Sequence, residues 1–170
     1  KAGLVIARNK EGATGAGYYD RFRSRIMFPI FDIQGSIVGF TGRIFGEGTG
    51  YRVQGNTEIV EAKYVNTPES PIFFKSRTLY GFDKTKHEIR KQHAAILTEG
   101  QMDFLLAWQD GVRNIVATSG TALTAWHLFT LKRICENLSL AFDMDDAGVH
   151  ATERGIALAS RQGFSVKIMS

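Results

Sequence analysis

Between residues 92 and 170, short apolar runs alternate with longer stretches of helical spacing, and this alternation restricts the fold more than any other feature. Ala94-Ala95-Ile96-Leu97-Thr98 is too short for a helix and suits a buried strand. Residues 101–108 have helical character, closed by Gly111. Asn114-Ile115-Val116-Ala117-Thr118 predicts a second strand. Ser119-Gly120-Thr121 is a turn, and Thr124 is the N-cap of a helix carrying Leu128, Leu131, Ile134 and Leu138 at helical spacing. Leu138-Ser139-Leu140-Ala141-Phe142 predicts a third strand. Residues 147–161 predict a helix ended near Gly163, and residues 164–169 begin a fourth strand. Such a pattern means βαβ units and a largely parallel sheet. Right-handed crossovers bring the C-terminal strand ends to one edge. Sites of open α/β sheets collect at that edge.

Acidic residues stand at those ends. Glu99 follows the first strand, Asp143 follows the third, and Asp145 lies two residues on. They meet in space if their strands are neighbours. Asp103 sits one helical turn beyond Glu99, and Gly100 permits a tight turn or close ligand approach. Clustered carboxylates repel one another and are costly without a counter-ion. Mg²⁺ prefers hard oxygen ligands and keeps waters for substrate phosphates. A plainer reading makes Glu99 and Asp103 helix-start charges favoured by the dipole, and Asp146 a solvated residue. A calcium loop fails, because Ala147 and Arg154 stand where carboxylates are required. A haloacid-dehalogenase-like phosphatase with Asp143 as nucleophile lacks its downstream partners in the residues that follow Asp145.

Before residue 92 the chain reads as strands and turns. Arg25-Ile26-Met27-Phe28-Pro29-Ile30-Phe31 is β-rich, with Pro29 indicating an edge or a bend. Asp32-Ile33-Gln34-Gly35 is a turn, after which residues 36–40 resume apolar character. Residues 46–50 suggest a flexible turn before Tyr51-Arg52-Val53, and residues 54–72 read as a polar surface loop. If Tyr18-Tyr19-Asp20-Arg21-Phe22-Arg23-Ser24-Arg25 is extended, Arg21, Arg23 and Arg25 share one face. Three guanidinium groups on one face suit a phosphate backbone. An edge strand guarded by charge has the same appearance.

Charge is divided in the same place. Residues 1–91 carry +6 and residues 92–170 carry −2, within a total of +4. A polyanion-binding face beside a cation-binding one fits this division, as do two ordinary solvated surfaces. The absence of any apolar run of 18 residues excludes a membrane-spanning helix. One cysteine, Cys135, excludes an internal disulfide framework and a Cys-based zinc site, and suggests a reducing, cytoplasmic setting. The start, Lys1-Ala2-Gly3-Leu4-Val5-Ile6, has neither initiator Met nor signal peptide, as expected of a piece of a longer chain. His87, His93, His127 and His150 show no paired metal spacing and read as surface or satisfied helix residues. Gly46, Gly48 and Gly50 precede no phosphate-binding helix, which rejects a dinucleotide fingerprint.

Taken in order, the segments resemble the catalytic core of bacterial DnaG-type DNA primases. The matching runs are YDRFRSRIMFPI (19–30), GFTGRIF (39–45), KYVNTPES (63–70), IFFKSRTLYGF (72–82), TEGQMD (98–103), ATSGTALT (117–124) and FDMDDAG (142–148). The resemblance implies an α/β fold in which residues 92–170 form a Toprim domain, Rossmann-like with a largely parallel sheet. A basic, strand-rich α+β subdomain over residues 1–91 precedes it. It implies metal-dependent synthesis of short RNA primers from ribonucleoside triphosphates on single-stranded DNA, in the bacterial cytoplasm at the replisome. Glu99, Asp143 and Asp145 match the catalytic and metal-binding acids, with Asp103 a further ligand. Arg21, Arg23, Arg25, Arg43, Lys63, Asn66 and Lys75 match template- or nucleotide-binding positions. The implied metal is Mg²⁺ or Mn²⁺. Zinc and the replicative helicase would be bound through domains outside this chain. A fragment that binds single-stranded DNA without catalysis is the alternative. Two departures stand out. Met144 replaces the usual Gly between the two Asp residues, which would restrict backbone geometry or ligand approach. Gln101 replaces the usual Tyr.

Overall fold

The computed structural model describes residues 3–7, 17–45, 51–54, 57–60 and 62–169, with 51–54 and 57–60 described by their backbone. The glycine-rich turn expected at 46–50 lies outside the described residues. The chain divides into two compact units. One comprises residues 1–30 and 37–70, the other residues 31–36 and 71–170.

The first unit is antiparallel. Strands β1 (Val5–Ala7) and β2 (Tyr18–Asp20) pair with each other. Strands β3 (Arg25–Phe31), β4 (Ile37–Ile44), β5 (Tyr51–Gln54), β6 (Thr57–Val60) and β7 (Tyr64–Asn66) follow. The order β3-β4-β7 forms one sheet, so Pro29 does lie on an edge strand, and β5-β6 forms a separate pair. The expected loop over 54–72 is therefore corrected, since it contains β6 and β7. Their signal is weak because each is short and depends on pairing: β6 with β5, and β7 with β4 through Thr41–Asn66, Gly42–Val65 and Arg43–Tyr64.

The second unit begins with a 3₁₀ turn at Lys75–Arg77 and continues through α1 (Phe82–Gln92), β8 (Ala94–Thr98) and α2 (Gln101–Gln109). Then come β9 (Ile115–Ala117), α3 (Ala125–Lys132), β10 (Asn137–Ala141), α4 (Asp146–Arg161) and β11 (Ser165–Ile168). The four strands form the parallel sheet expected from the alternation, in the order β11-β10-β8-β9. Thr124 caps α3 as predicted, its hydroxyl accepting the His127 N–H at 3.2 Å. Leu138 belongs to β10 rather than to that helix, which stops at Lys132. The compact units part at residue 70/71, whereas charge and pattern change at 91/92. Helix α1 packs on β8 and β9 and extends the second unit toward its start. It buries Phe82, Thr85 and Ile89 along one face.

Leu97, Val116, Leu138 and Leu140 from the strands meet Ile89, Leu128, Leu131 and Ala159 from the helices in one core. Tyr80 seals the outer edge of β9 through reciprocal backbone bonds with Ala117 of 2.8 and 3.1 Å. Gly81 just beyond has φ +80°, and a Cβ there would fall 2.1 Å from the Phe104 ring. Only glycine meets both demands.

Candidate active site

Parallel pairing of β8 with β10, in the register Thr98–Ala141, sets the loops after these strands side by side. Glu99 leaves the first strand and Asp143 and Asp145 leave the third. The condition the sequence sets, that these strands be neighbours, is met by the β8–β10 pairing. The Asp143 backbone N–H favours the charged form of Glu99. Its Oε1 is buried and has no hydrogen-bond partner. Burial raises the Glu99 pKa above the usual carboxylate range, and the charges of Asp143, Asp145 and Asp103 raise it further, against the opposing effect of that N–H.

The other acids are partly engaged. Asp145 is the N-cap of α4, one oxygen accepting the Gly148 N–H at 2.8 Å. Asp103 accepts the Gly100 N–H at 3.0 Å at the start of α2, as the helix-start reading anticipates. Asp143, Asp145 and Asp103 are exposed, and Asp146 is solvated as expected. From β9, Ser119 donates its N–H to the Glu99 carbonyl at 2.9 Å, with Ser119 itself at φ 60°. The sequence marks Ser119 only as a turn residue, because the β8–β9 register that aims it at Glu99 is not written locally.

Oxygen donors, an orphaned buried Glu99 oxygen and uncompensated carboxylate repulsion all fit a hard divalent cation. Among the described residues, no three His, Cys, Asp or Glu side chains converge closely enough to hold one as they stand. A groove of about 380 Å³ beside α4, lined by residues including Leu123, Phe142, Arg154 and Leu158, contains none of the carboxylates.

The basic positions behave differently from expectation. Arg21 and Arg23 lie in a turn between β2 and β3, and Ser24 has φ 54°, so Arg21, Arg23 and Arg25 do not share the face of one extended strand. The period-two argument fails because the chain reverses there. Arg21 Nε donates to the Gly3 carbonyl at 2.9 Å. Arg25 donates to the carbonyls of Gly42 and Lys63 at 3.2 and 3.3 Å. Arg23 lies 4.8 Å from the Tyr19 ring centroid and remains exposed. Arg43 is half-buried on β4 and Lys63 is exposed. Asn66 leaves its Oδ1 buried and unpaired. Lys75 is half-buried in the 3₁₀ turn of the second unit, and its carbonyl meets His127 Nε2 at 3.1 Å.

Comparison with known proteins accounts for this ordering of parts. Residues 1–86 match the family described as DNA primase catalytic core, N-terminal domain, and residues 96–170 match the Toprim-like family. The chain belongs to the DNA primase catalytic core family. The DNA primase of Halalkalibacterium halodurans is 40% identical over 168 residues, covering 99% of this chain and 25% of that protein. The Aquifex aeolicus primase structure, comprising zinc-binding and RNA polymerase domains, superposes with a TM-score of 0.80 at 32% identity. That match covers 98% of this chain and 38% of the other. A DnaG primase catalytic domain bound to single-stranded DNA gives 0.80 at 33% identity, covering 99% and 48%. The chain therefore spans about a quarter of the length of the primases it matches in sequence. Both parts of that family's description are present in the chain, an antiparallel strand region and a parallel Toprim-like sheet.

Met144, where the resemblance implies glycine, is 70% exposed and is not among the residues with positive φ. The backbone at this position therefore makes no demand for positive φ. A steric demand for glycine falls four residues later. A Cβ on Gly148 would lie 2.0 Å from the Asp143 carbonyl oxygen, so the chain needs glycine there to fold the acidic loop back onto α4.

Proposed function

We propose that this chain is the nucleotidyl-transfer core of a primase, extending short RNA primers from ribonucleoside triphosphates on single-stranded DNA. The observation that carries this reading is the β8–β10 pairing, which puts Glu99 next to the Asp143–Asp145 loop in a chain of the primase core family. Glu99, Asp143 and Asp145 are the catalytic and metal-holding acids of the proposal, with Asp103 as a further ligand. Mg²⁺ or Mn²⁺ bound there would neutralise triphosphate charge and lower the barrier to in-line attack by a primer 3′-hydroxyl. The chain's own contribution is positioning. Ser119 anchors the Glu99 backbone, and the Asp145 cap fixes the start of α4.

Arg23, Arg43, Lys63 and Lys75 are proposed to meet template or nucleotide phosphates, which are well matched to guanidinium and ammonium groups. Arg21 and Arg25, bonded to backbone carbonyls, support the turn on which Arg23 stands. Asn66 on β7, with its Oδ1 buried and unpaired, is proposed to support nucleotide binding by the first unit. A replicative helicase would act through parts of the whole protein beyond this chain. Among the described residues no helix is long and apolar enough to cross a membrane.

Asp143→Asn in the intact primase tests the reading. Primer synthesis is expected to fall by at least about 100-fold, as loss of a metal-holding carboxylate requires. Single-stranded DNA binding, measured in parallel, is expected to persist. Normal primer yield from this variant would overturn the assignment.

A further inference from the structure

The second unit carries an aromatic and cationic patch that the acidic site does not use. Trp126 and Phe129 on α3 are 51% and 56% exposed, and their rings meet edge to face at 5.9 Å. The Arg77 guanidinium carbon lies 4.7 Å from the Trp126 ring centroid and 5.0 Å from that of Phe74. Arg133, seven residues after Trp126 and therefore near the same helical face, is exposed. Neither contributing stretch, residues 70–82 or residues 117–135, contains an Asp or Glu.

The patch is held rigidly from below. Thr124 Oγ1 donates to the Ser76 carbonyl at 2.6 Å, and buried His127 bonds the Lys75 carbonyl, so the 3₁₀ turn is fastened to α3. The conformational cost of presenting these rings and Arg77 together is thus met by the fold itself. An apolar protein partner would strip water from Arg77 and Arg133 without replacing it. A single-stranded polynucleotide satisfies both halves of the patch. Its unpaired bases have faces to lay on the rings, and its phosphates meet the guanidinium groups.

The geometry points to Trp126, with Phe129 and Arg77, as a base-stacking site for single-stranded DNA on α3 of the second unit. This rests on the reading that the chain engages a single-stranded template. It adds a contact that none of the acidic or basic positions above provides.

Tryptophan fluorescence tests the site directly. The other tryptophan, Trp108, is stacked on Phe104 and covered by Arg113, so Trp108→Phe leaves Trp126 as the sole reporter. A short oligothymidylate is expected to quench Trp126, whereas heparin and a duplex of the same length are not. Trp126→Ala is expected to weaken oligothymidylate binding about tenfold, and Trp126→Phe by no more than about twofold, because a ring remains to stack. Arg77→Ala is expected to reduce the salt dependence of binding. Because Trp126 is exposed, unchanged circular dichroism of Trp126→Ala is expected and separates lost contact from lost fold. An unquenched Trp126 with oligonucleotide bound, or equal affinity of Trp126→Ala and the unaltered chain, overturns the stacking site and leaves the template reading standing. Equal quenching by heparin also overturns it, since charge alone would then suffice. Failure of the unaltered chain to bind oligothymidylate overturns both.

Discussion

The two units organise their polar groups by different means. In the second, a parallel sheet is buried between helices, and the acids are presented by the ends of strands that the core holds in register. In the first, only Phe22 in the turn before β3 and Ile30 on β3 are buried among the described apolar side chains. Arg21 and Arg25 there are held by backbone carbonyls rather than by a packed layer. Thr41 Oγ1 and Asn66 Oδ1, in paired positions on β4 and β7, are buried and unpartnered. The difference shows two ways of placing charge. A well-packed core can hold repelling carboxylates together, as around Glu99, whereas a thin unit fixes its cations one hydrogen bond at a time.

Three measurements would break or sharpen that contrast, beyond the catalytic test. Leu140→Ala should have the largest effect. It removes a fully buried side chain at the centre of the sheet and is expected to destabilise the second unit by about 2–5 kcal/mol in chemical denaturation. A loss well under 1 kcal/mol would mean that the core is not what holds the acids. Thr41→Val is expected to stabilise the first unit by about 1 kcal/mol, because it removes a buried hydroxyl with no partner at nearly constant shape. Hydrogen exchange across β4 and β7 would record the gain, and a loss of protection would reveal a partner for that hydroxyl.

The smallest effect concerns pH. His127 is fully buried, and burial lowers its pKa below the usual 6.5, although the carbonyls of Lys75 and Thr78 favour the charged ring. The unfolded chain therefore binds a proton on His127 at a higher pH than the folded chain does. This contribution to stability is complete above the usual histidine value and is lost as pH falls below it toward the lowered one. Unfolding free energy between pH 7.5 and 5.5 should fall more steeply for the unsubstituted chain than for His127→Gln. Equal slopes would show that this histidine does not set the acid sensitivity.

Much of the second unit is legible in the sequence because its elements are long or strongly apolar. Strands β8 and β10, the Thr124 cap and the end of α4 fall near their expected places. Leu138 is misread as helical because it stands at helical spacing from Leu131 and Ile134 while also beginning an apolar strand run. Helix α1 escapes notice beneath its charged face, although Phe82, Thr85 and Ile89 are spaced to share one side. In the first unit, β6 and β7 leave little local signal, since three- and four-residue strands exist through their partners. The alternating arginines mislead for a related reason. Period two has meaning only in an extended chain, and Ser24 at φ 54° ends that condition.

The residues themselves determined the alternating architecture, the acids at strand ends and the ordered runs shared with primase cores. Local periodicity and composition are sufficient for these because each depends on neighbours in the chain. Only the tertiary structure decided that β8 and β10 are adjacent, which makes Glu99 and Asp143 partners across more than forty residues of sequence. It also placed a steric need for glycine at Gly148, and set Arg77 against Trp126. Those outcomes depend on strand register and close packing between distant segments, and no local pattern of residues encodes a distance.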